Sequence, residues 1–177
     1  LQALYHPSSC RVTYRTPNAK EPNIFRVEPY ELIECDGGLY LYCNVPRHGD
    51  VIVLAVERIE AVSRNLDEFR RSPEVEAKIQ GKKKRAFRIF DDEELLDVTL
   101  KFTPQAAFYA AERKWHPSQT EQPHRDGSVT LRFQASGRIE IERWIRGWGD
   151  ECQVVGMEEV AGKGKPVDTK SRSQPKQ

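Results

Sequence analysis

The sequence predicts a β-rich chain of the α+β class, in which a small five-stranded β-barrel precedes a four-stranded sheet covered by two helices. Two sequence patterns lead to this prediction. Residues 10–62 alternate apolar and polar side chains with a period of two, which is typical of short strands. Residues 95–160 instead alternate strand-like and helix-like segments. The order there is β-α-β-β-α-β, which is the ferredoxin-like arrangement.

Five strands are predicted in the first part of the chain, with no convincing helix between them. They cover residues 11–14, 23–33, 39–43, 51–56 and 58–62. Turn-forming residues separate them, including Asp36-Gly37-Gly38 and the segment 46–50. Closure into a small barrel removes exposed strand edges, which would otherwise pair with other chains.

The second part begins with an alternating strand at residues 96–102. Thr103 as N-cap and Pro104 at the first helical position predict a helix that ends before Pro117. A hairpin with its turn at Asp126-Gly127 follows. The pattern then predicts a helix over residues 138–148 and a strand over 152–155.

The two helices of this second part are expected to bury large aromatic side chains. The predicted core residues are Phe108, Trp115, Trp144 and Trp148. The opposite face of the sheet is expected to carry Thr99, Lys101, Thr130 and Arg132 or their neighbours. Four segments are predicted: a barrel domain at 1–65, a linker at 66–94, a ferredoxin-like domain at 95–160 and a disordered basic tail at 161–177.

The predicted linker combines a short helix with charge blocks. Ser72-Pro73 is expected to begin the helix and Gly81 to end it. The basic residues 82–85 and the acidic residues 91–94 predict a solvated segment. A strip that contacts phosphates is the alternative interpretation.

Composition limits the class of protein. The net charge is +1, so there is no global attraction to nucleic acid, and the longest apolar run (residues 51–56) is far shorter than a membrane helix. The four cysteines form no C-x-x-C pair, which favours free thiols in a reducing cytoplasm, although zinc bound by Cys35, Cys43 and a histidine is an alternative. Met157 is the only methionine and residue 1 is Leu, so we expect this chain to be a C-terminal piece of a longer protein.

No catalytic or cofactor motif is evident. The sequence has no phosphate-binding glycine loop, no nucleophile elbow and no H-E-x-x-H. His116 follows Trp115 at the predicted helix end, where it caps carbonyl groups, lines a polar pocket or acts as an acid or base. We therefore expect no enzyme activity, no cofactor and no metal.

The order of several phrases resembles that of a known family. "FRVEPYELIECDGGLYLYC" (residues 25–43) and "VERIEAV" (56–62) resemble the WYL domain, a bacterial sensory module with an Sm-like, SH3-type barrel. "AERKWHPSQ" (111–119), "DGSVTLRF" (126–133) and "ERWIRGWGDECQVVGMEEV" (142–160) resemble the C-terminal extension that commonly follows it, the WCX domain.

The resemblance implies a ligand-sensing and dimerisation region of a bacterial transcriptional regulator. Its ligand would be a nucleotide or single-stranded nucleic acid. Duplex DNA would be bound only by a helix-turn-helix domain absent from this sequence, and the protein would be a cytoplasmic homodimer. The ligand-binding residues implied are Tyr14, Arg26, Tyr40 and Arg58.

Three positions depart from the family pattern. Leu39 replaces the tryptophan, and Ile52 and Ala55 stand where the family usually has arginines. The loss of two cations leaves three alternatives. The barrel binds a weaker or different ligand, sensing has moved to the second domain, or the chain is a structural or protein-interaction module that has lost effector binding. The polar candidates in the second domain are Arg113, His116, Gln119 and Arg132.

Overall fold

The computed structural model describes residues 1–17 and 19–160, apart from the side chains of residues 64–66. The predicted disordered tail, residues 161–177, lies outside the described residues. Two antiparallel sheets and short helices form the described part, so the predicted β-rich α+β class is confirmed. In this part no helix is both long and apolar enough to cross a membrane.

The first sheet contains five strands in the order β4-β3-β2-β1-β5. Their bounds are β1 Ser8–Tyr14, β2 Asn23–Cys35, β3 Gly38–Val45, β4 Asp50–Ala55 and β5 Ile59–Glu68. A short helix, α1 (Gln2–Tyr5), precedes them, and one 3-10 turn (Val56–Arg58) joins β4 to β5.

The long strand β2 holds this sheet together because it pairs with two neighbours in succession. Its first half pairs with β1 and its second half with β3. The register slips between Pro29 and Glu31. Proline has no N–H to give to a ladder, so a bulge at this point lets the strand bend while pairing continues.

Both faces of β3 contact apolar clusters. Leu41 packs against the cluster formed by Val12, Val27 and Leu54. Tyr42, on the opposite face, is completely buried against a second cluster that includes Ile79. Ile79 belongs to α2 (Pro73–Arg85), which covers that face. The helix continues through Gly81 to Arg85, so its predicted end was wrong.

The predicted linker is ordered, and most of its charged residues remain at least partly exposed. Lys82 and Arg85 form ion pairs with Asp91, which connects the end of the basic block to the start of the acidic block. Residues 86–92, which we call the strap, then lie against both sheets. Phe87 of the strap stacks on Phe133 with ring centroids 5.4 Å apart. Ala86, Phe87 and Ile89 of the strap are buried, because the two domains close around them.

The second sheet has the order β7-β8-β6-β9, and its elements follow the predicted order β-α-β-β-α-β. Their bounds are β6 Leu96–Phe102, α3 Pro104–Ala111, β7 Thr120–Pro123, β8 Val129–Ala135, α4 Arg138–Arg146 and β9 Cys152–Glu159. Helix α3 ends at Ala111, well before Pro117, and α4 ends at Arg146. Strand β9 continues beyond its predicted end to Glu159.

The core under this sheet is largely aromatic. Trp144 is buried, and Trp115 and Trp148 are partly buried against the same cluster. Phe108 was expected in this core, but it is 71% exposed. Helix α3 presents Ala106 and Ala110 to the sheet instead. Small side chains let the helix approach the sheet closely, and Phe108 then points to solvent.

Candidate anion-binding cleft

Tyr40 lies at the start of β3, immediately after the turn at Asp36 and Gly37. A Cβ atom on Gly38 would lie 3.1 Å from Cε2 of Tyr40, so the glycine leaves room for the tyrosine ring. Burial, and next the nearby Cys35 and Glu57, raise the pKa of Tyr40. The phenol therefore stays protonated and remains able to donate a hydrogen bond.

Phe90 of the strap faces Tyr40 across the domain boundary. The two rings meet edge to face, with centroids 5.9 Å apart and an interplanar angle of 87°. Oε2 of Glu140 accepts hydrogen bonds from the backbone N–H groups of Ile89 (3.2 Å) and Phe90 (3.3 Å). The hydroxyl of Tyr42 donates to the carbonyl of Ile89 from the first sheet (3.4 Å). The strap is thus fixed from both domains.

The carboxylates at this boundary are already engaged. Asp92 accepts hydrogen bonds from the backbone N–H groups of Gly137 (3.0 Å) and Arg138 (3.1 Å), and so caps the N-terminus of α4. Asp36 forms an ion pair with Arg88. The partners of Asp92 and Glu140 are backbone N–H groups rather than cations, so both carboxylates keep their negative charge beside the cleft.

Two arginines at the boundary are not paired with a carboxylate of the described residues. Arg58 follows β4 in the 3-10 turn, and Arg143 lies on α4. Neither forms an ion pair with any of the described residues. Both line one cleft of about 710 Å³ between the domains. Its walls include three arginines, three carboxylates and two partly exposed aromatic rings: Arg58, Arg88, Arg143, Asp36, Asp92, Glu140, Tyr40 and Phe90. Unpaired guanidinium groups beside aromatic rings are suited to binding an anion that carries a planar group.

The structure brings together two of the four predicted barrel residues. Tyr40 and Arg58 line the cleft. Tyr14 is buried in the core of the first sheet, where its hydroxyl accepts a hydrogen bond from the N–H of Ala55 (3.3 Å). Arg26 forms an ion pair with Asp67 (3.2 Å) and lines a different cavity. The expected grouping of all four residues around one surface is therefore not observed.

The four second-domain candidates do not form one site either. The side-chain amide of Gln119 bonds to the backbone at Trp115 (2.9 Å) and Arg113 (3.1 Å). Arg132 forms a bidentate ion pair with Asp97 at 2.9 and 2.7 Å. Arg113 is exposed and lies near the ring of Trp115. These contacts account for the polar groups as structural elements of the loop after α3 and of the sheet.

His116 is also structural, since both of its ring nitrogens are engaged. Nδ1 lies 2.8 Å from the hydroxyl of Ser118, and Nε2 lies 3.1 Å from the carbonyl oxygen of Lys84, the penultimate residue of α2. The imidazole therefore connects the end of α2 to the second domain. Burial lowers the pKa of His116.

We expect the free energy of unfolding to decrease as the pH falls below about 6.5, the ordinary pKa of histidine. Between that value and the lower folded pKa, the unfolded state binds a proton at His116 that the folded state does not, so unfolding becomes more favourable. Urea unfolding at pH 7.5 and 5.5 measures this. In His116→Gln the decrease should be smaller, and an identical decrease in both proteins would contradict the assignment.

Sequence reasoning missed the residues that the second domain contributes to the cleft. Arg88, Phe90 and Glu140 lie in or beside the strap, which was interpreted as linker, and Arg143 precedes the predicted core residue Trp144. Adjacent residues of a helix point in different directions, so a buried Trp144 predicts that Arg143 is exposed. Only the packing of the two domains, however, places it in the same cleft as Arg58.

Comparison with known families agrees with this architecture. The family model for the WYL domain matches residues 1–64, and the model for the WCX domain matches residues 94–162. The chain therefore carries a WYL domain followed by a WCX domain, which confirms the resemblance seen in the sequence. A search of curated proteins found no significant match.

Two solved structures are similar over 88% of this chain. One is described as a CRISPR Cas-related protein, with a TM-score of 0.56 and 14% identity. The other is proteasome accessory factor B/C (PafBC) of Arthrobacter aurescens, with a TM-score of 0.39 and 17% identity. The chain spans 44% and 23% of their respective lengths, so it corresponds to less than half of either.

Proposed function

We propose that this region senses an anionic effector, a nucleotide or single-stranded nucleic acid, on behalf of a bacterial WYL-type transcriptional regulator. One observation carries the proposal. Arg58 of the WYL domain and Arg143 of the WCX domain line the same cleft without ion-pair partners among the described residues. The carboxylates beside them are engaged by Arg88 and by backbone N–H groups.

The cleft suits such a ligand in size and chemistry. Its volume of about 710 Å³ is in the range of ~300–1,000 Å³ usual for small-molecule sites. Arg58 and Arg143 would bind phosphate oxygens with charge-assisted hydrogen bonds. Tyr40 and Phe90 offer aromatic surface against which a base can stack. The proposal assigns no catalytic step to this region.

Binding would act on the arrangement of the two domains. The cleft takes walls from both, so a ligand that contacts Arg58 and Arg143 together favours the arrangement that brings them close. In our proposal this shifts the population of a cytoplasmic homodimer whose DNA contacts are made by an upstream helix-turn-helix domain. Coupling of that kind is an allosteric free energy between two sites.

A finer description of the fold belongs to the same proposal. The order β4-β3-β2-β1-β5, with a 3-10 turn between the two edge strands, supports an SH3-type barrel for the WYL domain. The order β7-β8-β6-β9 with two intervening helices supports a ferredoxin-like arrangement for the WCX domain.

We expect a labelled, mixed-sequence single-stranded oligonucleotide to bind this chain, and Arg58→Ala and Arg143→Ala each to weaken binding about tenfold or more. Loss of a charge-assisted hydrogen bond has a cost of that order. Fluorescence anisotropy across a salt series measures the affinity. The logarithmic salt slope should also decrease by roughly 0.7 for each phosphate contact removed.

Arg125→Ala is the matched control, because Arg125 is an exposed arginine in the turn between β7 and β8 and lies outside the cleft. The affinity of Arg125→Ala for the oligonucleotide should equal that of the unaltered chain. Equal losses in all three variants would indicate nonspecific charge attraction and contradict the cleft. Absence of binding at low salt would favour the alternative function, a protein-interaction module, for which Ile139 offers an apolar side chain at the cleft that is 62% exposed.

A further inference from the structure

A second cavity lies at the other end of β3. It has a volume of about 210 Å³ and is lined by Ile24, Phe25, Arg26, Val45, Pro46, Arg47 and His48. Val45 lies five residues along β3 from Tyr40, which corresponds to about 17 Å at roughly 3.4 Å per residue. The cavity is therefore separate from the interdomain cleft, and the two share no lining residue.

The walls of this cavity are apolar and rigid. Val45 and Phe25 belong to the core of the first sheet, and Phe25 packs edge to face on the buried Tyr14 at 6.5 Å. The turn that closes the cavity is held by two backbone hydrogen bonds to the carbonyl of Val45, from His48 (3.0 Å) and Gly49 (2.9 Å). Ile24, by contrast, leaves 66% of its surface exposed at the edge.

Three polar side chains border the apolar walls of this cavity. They are Arg26, Arg47 and His48, and no carboxylate lines the cavity. Arg47 forms no ion pair with a described residue. Arg26 is paired with Asp67, but about half of its side chain (46%) remains exposed. An apolar cavity bordered by excess positive charge is complementary to a molecule with an apolar body and one anionic group.

We propose that this cavity binds a small organic anion, namely an aromatic or branched aliphatic carboxylate, with its apolar body between Phe25 and Val45 and its carboxylate at Arg47 and Arg26. The volume is below the ~300 Å³ at which drug-sized sites begin, so the occupant is small. The site does not depend on the interdomain cleft. It also assigns a ligand role to Arg26 at a place different from the one that the sequence resemblance implied.

Fluorine NMR relaxation with three probes tests this proposal on the full chain. The probes are 4-fluorobenzoate, which has both body and charge, 4-fluorobenzamide, which has the body alone, and trifluoroacetate, which has an anion without a ring. We expect 4-fluorobenzoate to bind at least tenfold more tightly than either of the others. Arg47→Ala should reduce that affinity at least tenfold, whereas Arg125→Ala should leave it unchanged.

The outcomes separate this cavity from the cleft. Retention of 4-fluorobenzoate binding in Arg58→Ala supports a separate site, while its loss there would assign the probe to the cleft and overturn the proposal. Equal affinities of the benzoate and the benzamide would overturn the role of the charge. If none of the three probes binds, the proposed site is overturned. A matched melting temperature for Arg47→Ala and the unaltered chain excludes misfolding as the cause of a loss.

Discussion

Replacement of Trp144 by alanine should lower the free energy of unfolding by about 3–5 kcal/mol, the usual range when a large buried aromatic side chain is removed. Trp144 is only 8% exposed and lies at the centre of the second core. Its ring contacts Trp115 at 4.9 Å and Phe87 at 5.2 Å between centroids. Since Phe87 belongs to the strap, the cavity left by Trp144→Ala would loosen the domain boundary as well as the core.

Phe108→Ala is the matched control for this prediction. Phe108 is also an aromatic residue in a helix of the second domain, but 71% of its surface is exposed. Its removal should change the free energy of unfolding by no more than about 0.5 kcal/mol. Urea unfolding monitored by far-ultraviolet circular dichroism compares the two variants directly. A similar loss in both variants would contradict the core described for this domain.

The opposite positions of Phe108 and Trp144 show how far periodicity predicts a core. In α4 the apolar residues recur at helical spacing, and the predicted burial of Trp144 is correct. In α3 both an aromatic face and an alanine face were available, and the alanine face is buried. The choice depends on how closely the helix approaches the sheet, which is a property of the tertiary packing. The local sequence pattern does not reveal how closely the helix approaches the sheet.

Charge pattern had a similar limit in the predicted linker. A basic block followed by an acidic block is usually solvated, and residues 82–94 were interpreted in that way. A second signal was present, because Val75 and Ile79 are four residues apart and share one face of α2. These residues attach α2 to the first sheet, and the ion pairs with Asp91 then turn the chain into the strap.

Only some of the residues that form the candidate cleft could be predicted from the sequence. Tyr40 and Arg58 come from the WYL domain, whose motifs are recognisable in the sequence. Arg143 and Phe90 come from separate elements that meet them only when the two domains pack. The structure also shows why Tyr14 differs from Tyr40. The strand pairing puts Tyr14 on the inner face of the sheet, where its hydroxyl reaches the backbone of Ala55.

Replacement of Gly137 by alanine is the second change with a large expected effect, a loss of about 2 kcal/mol or more in the free energy of unfolding. Gly137 is the N-cap of α4 and has φ +95°, a conformation that costs other residues on the order of 1–3 kcal/mol. A Cβ atom there would also lie 2.7 Å from the carbonyl oxygen of Phe90. The strap must move to relieve that overlap.

Gly81→Ala gives the opposite expectation and is the control for glycine replacement as such. Gly81 lies inside α2, and a Cβ atom there meets nothing within 4 Å. Alanine should therefore stabilise the chain by roughly 0.5–1 kcal/mol, because it restricts the unfolded state and favours helix. Thermal and urea unfolding of both variants measure the difference. Equal stability of Gly137→Ala and the unaltered chain would contradict the close contact between α4 and the strap.

Displacement of the strap in Gly137→Ala should also affect ligand binding, which measurements of stability do not detect. Phe90 faces Tyr40 only because Glu140 and the start of α4 hold the backbone of Ile89 and Phe90 in place. In the still-folded variant, binding of the oligonucleotide should weaken together with the loss of this aromatic contact. Binding of 4-fluorobenzoate should remain, since its cavity lies at the far end of β3. Loss of both ligands would instead mean that the whole WYL domain has been disturbed.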